Sequence, residues 1–319
     1  MLQIEIETTN VVEFLCDALV LKYAQSFYGV DAIVAATLTQ ARHGEIEIDP
    51  QPGSYALLPS DGAIAANHVL FVGVVPLYKF DYSAIRTFAA RALTVVANEL
   101  PNALHIAMTI HGAGYGLDER EAFLAQLGGI MDAEKKGISS KRITIVEKNA
   151  GRAARLKAIL RETWSQTRSV TAVDLEKPGI RPSDITAGEG SRKKPHVFIA
   201  MPFAKEMEDV YVFGIQGPVN TAGYLCERVD MATFTGDILD RIMSRIDTAT
   251  LVIADLTGGN ANVYLEVGYA WGRGRSTLLL AKKGDDLKFD VRGQRCIVYE
   301  NIVDLAKKLS ADLSNLEIA

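Results

Sequence analysis

The residues best placed for chemistry lie in one short stretch, Asp255-Leu-Thr-Gly-Gly-Asn260-Ala-Asn262-Val-Tyr-Leu-Glu266-Val-Gly-Tyr-Ala270. The apolar run before it, Thr250 to Ala254, reads as a buried strand; Gly258 and Gly259 then turn the chain into a helix that starts at or near Asn262. Asn262 suits a helix cap, Asp255 stands at the carboxyl end of the strand, and Glu266 falls one turn into the helix. Three polar groups thus converge on one crevice, with Gly268 and Ala270 keeping the walls small. A carboxylate in such a place acts as a nucleophile, or stabilises an oxocarbenium-like centre, when a glycosyl bond breaks. The same residues have plainer uses, Asp255 as a turn cap and Glu266 as a first-turn acid favoured by the helix dipole. Taken together, the short spacings and the glycine turn favour a site.

This stretch, with the opening Val197-Phe-Ile-Ala-Met-Pro-Phe203, resembles the nucleoside 2-deoxyribosyltransferase-like fold, related in layout to TIR domains. The likeness runs from about Pro195 to Tyr299. It implies that Glu266 is the nucleophile at the sugar C1′, that Asn260 and Asp255 hold the sugar and the carboxylate, and that Met201, Pro202 and Phe203 lie along base or sugar. Asp237, in Phe234-Thr-Gly-Asp-Ile-Leu-Asp-Arg241, either reaches the site or caps its helix. The family carries an acidic residue where this chain has Asn260, so a preference for deoxyribose loses its support.

A second loop, His111-Gly-Ala-Gly-Tyr-Gly116, joins a strand-like run to a helix starting at Asp118. Glycines there let backbone N–H groups approach an anion at a helix N-terminus, and a plain tight turn explains them equally well. Gly29-Val30-Asp31 offers another such turn. Together the two pieces resemble a macro-type domain, including the version at the N-terminus of leucyl aminopeptidases, over roughly residues 1–160. The resemblance implies that Gly29, Val30 and Asp31, with Gly112, Gly114 and Gly116, hold the phosphates of an ADP-ribose-like ligand. Leu21-Lys-Tyr-Ala-Gln25 stands where many macro domains carry an asparagine-rich loop, so catalytic removal of ADP-ribose is not implied. His111 reads as a solvated loop histidine.

The elements that must position these residues alternate along the chain. Strand-like runs at Ala18–Leu21, Ser54–Leu58, Val69–Val75, Leu104–Met108 and Arg142–Val146 interleave with helices over Tyr82–Leu100, Glu119–Ala133 and Gly151–Trp164. Strands at His196–Met201, Gly223–Arg228, Thr250–Ala254, Ser276–Leu280 and Arg295–Tyr299 interleave with helices near Glu206–Ala222, Gly236–Asp247, Asn262–Arg273 and Asn301–Leu313. Ser165 to Lys194, with two prolines and three glycines, reads as a linker. The expectation is an α/β protein of two domains: a macro-like α/β sheet over 1–164, then, over 195–319, a doubly wound five-stranded parallel sheet that binds ligands at its carboxyl ends.

Composition narrows the function. At 319 residues the chain has room for two domains, and a net charge of −5 argues against a grip on nucleic acid. Three scattered cysteines fit a reducing cytoplasm, five histidines form no zinc spacing, and no apolar run approaches the roughly 18–20 residues of a membrane helix. The reading is therefore a cytoplasmic N-glycosyl-bond-cleaving hydrolase acting on a nucleoside, nucleotide or NAD-like molecule, with no cofactor and no metal. Pairing it with a possible ligand sensor suggests a ligand-gated effector, in antiviral defence by analogy. The alternative is a non-catalytic nucleotide-binding sensor or scaffold, which would tolerate glutamine at 266. Large apolar groups at Tyr264 and Trp271 on the site helix predict a homo-oligomer.

Overall fold

A computed structural model describes residues 2–44, 46–138, 142–168, 188, 190–229, 237–285 and 294–315. Two compact units emerge, one formed by Met1–Ala113 with Glu119–Ser191, the other by Gly114–Asp118 with Arg192–Ala319. Both are α/β.

The first unit has six strands: β1 (Gln3–Glu7), β2 (Ala18–Tyr23), β3 (Tyr55–Pro59), β4 (His68–Gly73), β5 (His105–Met108) and β6 (Arg142–Val146). They lie in the order β1-β6-β5-β2-β4-β3, parallel except for the edge pair β3 and β4. Every residue of β2 is buried, as a central parallel strand covered on both faces requires. Around the sheet run α1 (Gly29–Ala41), α2 (Tyr82–Glu99), α3 (Glu119–Lys135) and α4 (Ala150–Arg168). Asp81 caps α2 by accepting from the Ala84 N–H at 2.9 Å. Gly129 lets α2 and α3 approach closely, since a Cβ there would meet the Arg86 carbonyl oxygen at 2.1 Å. The last helix runs four residues into the segment read as linker, whose residues 169–187 lie outside the described part. At its far end Ser191 is buried and donates to Glu121 at 2.7 Å, anchored on the first unit.

The second unit has β7 (His196–Ala200), β8 (Leu225–Glu227), β9 (Leu251–Asp255), β10 (Thr277–Lys282) and β11 (Cys296–Tyr299), all parallel, in the order β11-β10-β9-β7-β8. One face of the sheet packs on α6 (Asp237–Thr248) and α7 (Ala261–Gly272) through Ile242, Val263 and Val267. The other packs on α5 (Gly217–Thr221) and α8 (Ile302–Ser314) through Val219, Leu305 and Leu309. The order reverses at β7, the switch point beside which doubly wound sheets open a crevice. One predicted helix, Glu206–Ala222, is broken into a short turn at Lys205–Met207, a widened π-type turn over Val210–Gln216 and the brief α5. Gly214, Gly217 and Pro218 in that run weaken an ordinary helix.

Candidate functional site

The loop from β9 to α7 is built by its own polar groups. Asp255 is fully buried at the end of β9; one carboxylate oxygen accepts from the Thr257 N–H at 3.0 Å, the other from the Tyr299 hydroxyl at 2.9 Å. Thr257 and Tyr299 share a further hydroxyl contact of 3.1 Å, and the Lys282 N–H donates to the Thr257 hydroxyl oxygen. Burial raises the Asp255 carboxyl, and these donors oppose the rise. Gly258 and Gly259, at φ of 73° and 65°, take a conformation that glycine adopts freely. The helix then begins at Ala261, capped by Asn260, whose side chain accepts from the Asn262 N–H at 2.9 Å. The cap is therefore Asn260 and not Asn262, which is exposed in the first turn. Asp255 and Asn260 thus spend oxygens on holding the loop.

Glu266 differs. It is only 7% exposed, between buried Val263, Val267 and Ala270, and makes no hydrogen bond or ion pair among the described residues. Burial alone lifts its carboxyl from 4.5 to about 8. At pH 7 roughly a tenth of such groups are ionised, and each ionised one is a basic, weakly solvated carboxylate.

The loop after β7 divides in two. Met201 is buried in the core with Val197 and Ile199. Pro202 is half-buried and Phe203 is exposed. Asp237 opens α6, and its side chain lies outside the described part. The sequence reading missed Arg228, just beyond β8, which packs over the rings of Tyr211 and Phe203 and pairs with Glu208 at 2.8 Å. Alternation along β8 marks Arg228 as a strand-end residue, but no spacing announces its partners. A cavity of about 620 Å³, lined in part by Met207, Val210, Thr257, Lys282, Tyr299 and Ile302, opens at the carboxyl ends of β9, β10 and β11. Glu266 does not line it, so the cavity and the uncompensated carboxyl are distinct features of the same end of the sheet.

In the first unit, Gly29, Val30 and Asp31 form the first turn of α1 and not a loop. Asp31 is buried and ion-paired with buried Lys22 on β2. Burial raises its carboxyl and Lys22 opposes the rise. Among the described residues its second oxygen is buried without a hydrogen-bond partner, as are the Thr109 hydroxyl, the His111 Nε2 and the Gln126 side-chain oxygen. His111 is not solvated; it is 2% exposed, edge-on to Phe88, and burial together with Lys22 holds it well below the usual imidazole range. Gly112 and Gly116 have φ near 90°, whereas Gly114 has open space around it and no positive φ, so nothing in its surroundings demands glycine. Gly114 and Gly116 belong to the second unit, where a Cβ on Gly116 would meet Val229 at 2.8 Å. Protein therefore crowds Gly116, while Gly114 faces open space. Among the described residues no cluster of His, Cys, Asp and Glu could hold a metal ion, and no helix is long and apolar enough to cross a membrane.

The sequence matches no family model and no curated protein. Among solved structures, the chain is similar to the Oceanobacillus iheyensis macrodomain with MES bound, at 13% identity and a TM-score of 0.41, over 50% of this chain and 92% of that one. It is similar to the CMP N-glycosidase BcmB of Clostridium botulinum at 22% identity and a TM-score of 0.31, over 37% of this chain and 98% of that one. The Trypanosoma brucei macrodomain in complex with ADP matches at 17% identity and a TM-score of 0.40, over 49% of this chain and 67% of that one.

Proposed function

We propose that the second unit cleaves the N-glycosyl bond of a nucleoside, nucleotide or NAD-like molecule, with Glu266 as the reacting carboxylate. The observation that carries this reading is a carboxyl group buried one turn into the helix at the sheet's carboxyl end, with no cation or donor to compensate it among the described residues. A structural glutamate would be capped, paired or solvated; a reagent is kept free. In the proposed reaction the ionised Glu266 oxygen attacks or shields C1′ as the C1′–N bond breaks and that bond's electron pair leaves with the base; water then adds its oxygen to C1′, which frees the Glu266 carboxylate, and its proton goes to the base nitrogen. Asp255 and Tyr299 hold the loop from which α7 springs, so their role is to fix the position of Glu266. Exposed Leu265 and Trp271 on the same helix suit a contact with a second copy, which sedimentation at micromolar concentration tests.

The first unit takes a nucleotide-like ligand in this reading, through the N-terminal turn of α1 and Gly112. Calorimetry with ADP-ribose tests it, and no heat overturns it.

Incubation of the full chain with nucleosides, nucleotides and NAD, followed by separation of released base, tests the activity. An ionised nucleophile requires kcat/KM to rise with pH through about 8 and then level. A rate that falls across that range would make Glu266 the proton donor to the leaving base, and no base released from any member of the panel would leave a binding module.

A further inference from the structure

Arg228 has the surroundings of a binding residue more than of a structural one. Its side chain is only 13% exposed, yet the described residues supply one strong acceptor, a Glu208 oxygen at 2.8 Å from Nη2. Nη1 lies 3.8 Å from the sulfur of Met201, a weak acceptor. A guanidinium carries five N–H donors, so most of the fork is unfilled by the described residues. The plane is nevertheless fixed, because the central carbon sits 3.9 Å from the centre of the Tyr211 ring and 5.2 Å from that of Phe203. Glu208 is 42% exposed. A guanidinium held rigid before a ligand arrives matches phosphate oxygens two at a time and loses little rotamer freedom in doing so.

Its location gives that capacity a use. Arg228 follows β8, β7 ends at Ala200, and β9 ends at Asp255, so the three adjacent strands deliver Arg228, the Phe203 loop and the Glu266 helix to one end of the sheet. Two strand spacings, about 10 Å, separate the Arg228 and Asp255 strands. That span suits a sugar at one end and an attached phosphate at the other.

We propose that Arg228 reads an anionic phosphate on the substrate, exchanging Glu208 for it, so that the second unit prefers nucleotides to uncharged nucleosides. This rests on the reading that the unit takes nucleoside-type ligands. The test is calorimetry on the full chain carrying Glu266→Gln, which prevents turnover, with cytidine, adenosine, their 5′-monophosphates and inorganic phosphate as probes. Without a change at Arg228, at least one monophosphate is expected to bind about tenfold or more tightly than its nucleoside. Arg228→Met, which keeps the stem on the aromatic rings, brings that ratio to about one and leaves nucleoside affinity unchanged. Arg228→Lys, with charge but no fork, falls between. Should Arg228→Met unfold, salt supplies the second readout, because monophosphate affinity must weaken with ionic strength while nucleoside affinity holds. Nucleosides that bind with no gain from the phosphate, or a gain that survives Arg228→Met, overturn the inference alone. If no nucleoside and no monophosphate binds, the underlying reading falls with it.

Discussion

Both units bring an acidic side chain to the carboxyl end of a buried parallel sheet, and they treat it in opposite ways. In the first, Asp31 meets the ammonium of Lys22, so the charge that burial would expel is balanced within the fold. In the second, Glu266 has no hydrogen bond or ion pair among the described residues, and burial moves its carboxyl to about 8. A buried pair adds little net stability, but breaking it is costly, which suits an element of architecture. A buried acid without a partner is a standing cost that a chemical role would justify. The unit that compensates its carboxylate is the one we read as a ligand binder, and the unit that does not is the one we read as an enzyme.

Several substitutions break or sharpen that contrast. The largest effect expected is on rate: Glu266→Gln keeps the volume and removes the ionisable oxygen, so base release should fall by about a thousandfold or more, checked by product analysis of the folded variant. The same variant should be more stable than the parent in alkali. Native Glu266 keeps its proton between pH 4.5 and about 8 while the unfolded chain releases it, so native stability falls as pH rises through that window. Denaturant unfolding should show the two proteins alike near pH 4.5 and the glutamine variant ahead by at most about 5 kcal/mol at pH 9.

Lys22→Met should act the other way, leaving Asp31 buried without its counter-ion at a cost of about 3–5 kcal/mol. Adding Asp31→Leu should return most of that loss, measured as a double-mutant cycle. The smallest effect concerns His111. Its neutral ring is favoured in the fold, so the first unit loses stability as pH falls below 6.5, when the unfolded chain takes up a proton the native ring refuses. His111→Leu should remove that decline below pH 6.5 in thermal unfolding.

The local parts of this picture were legible in the sequence. The apolar run ending at Asp255 and the glycine pair place a strand, a turn and a helix to within a residue or two, because backbone preference decides them. Arg142–Val146 is read without error, and α2 is bounded by Asp81 and Pro101 for reasons visible in the chain. The helix α1 was not legible: Tyr28-Gly29 looks like a turn, and Val30 to Ala41 is too apolar to show one hydrophobic stripe. The strand β1 shows its alternation, Ile4 and Ile6 inward and Gln3, Glu5 and Glu7 outward or half-covered, but five residues do not by themselves reveal a partner strand. What escaped sequence reading altogether is pairing at a distance. Tyr299 reaches Asp255 across 44 positions, Arg228 reaches Met201 across 27, and Phe88 buries His111, and no spacing rule encodes such contacts. Asn260 and Asn262 show the finer limit: both suit a cap, and only the helix start at Ala261 decides between them.

The claim on which the contrast turns is that Glu266 is buried without compensation. It is tested most directly by a 13C titration of the glutamate side-chain carboxyl carbons in the full chain, with Glu266→Gln identifying the resonance. Glu266 should show a single transition with a midpoint near 8. A midpoint at the ordinary carboxylate position near 4.5 would mean a paired or solvated group and would contradict it.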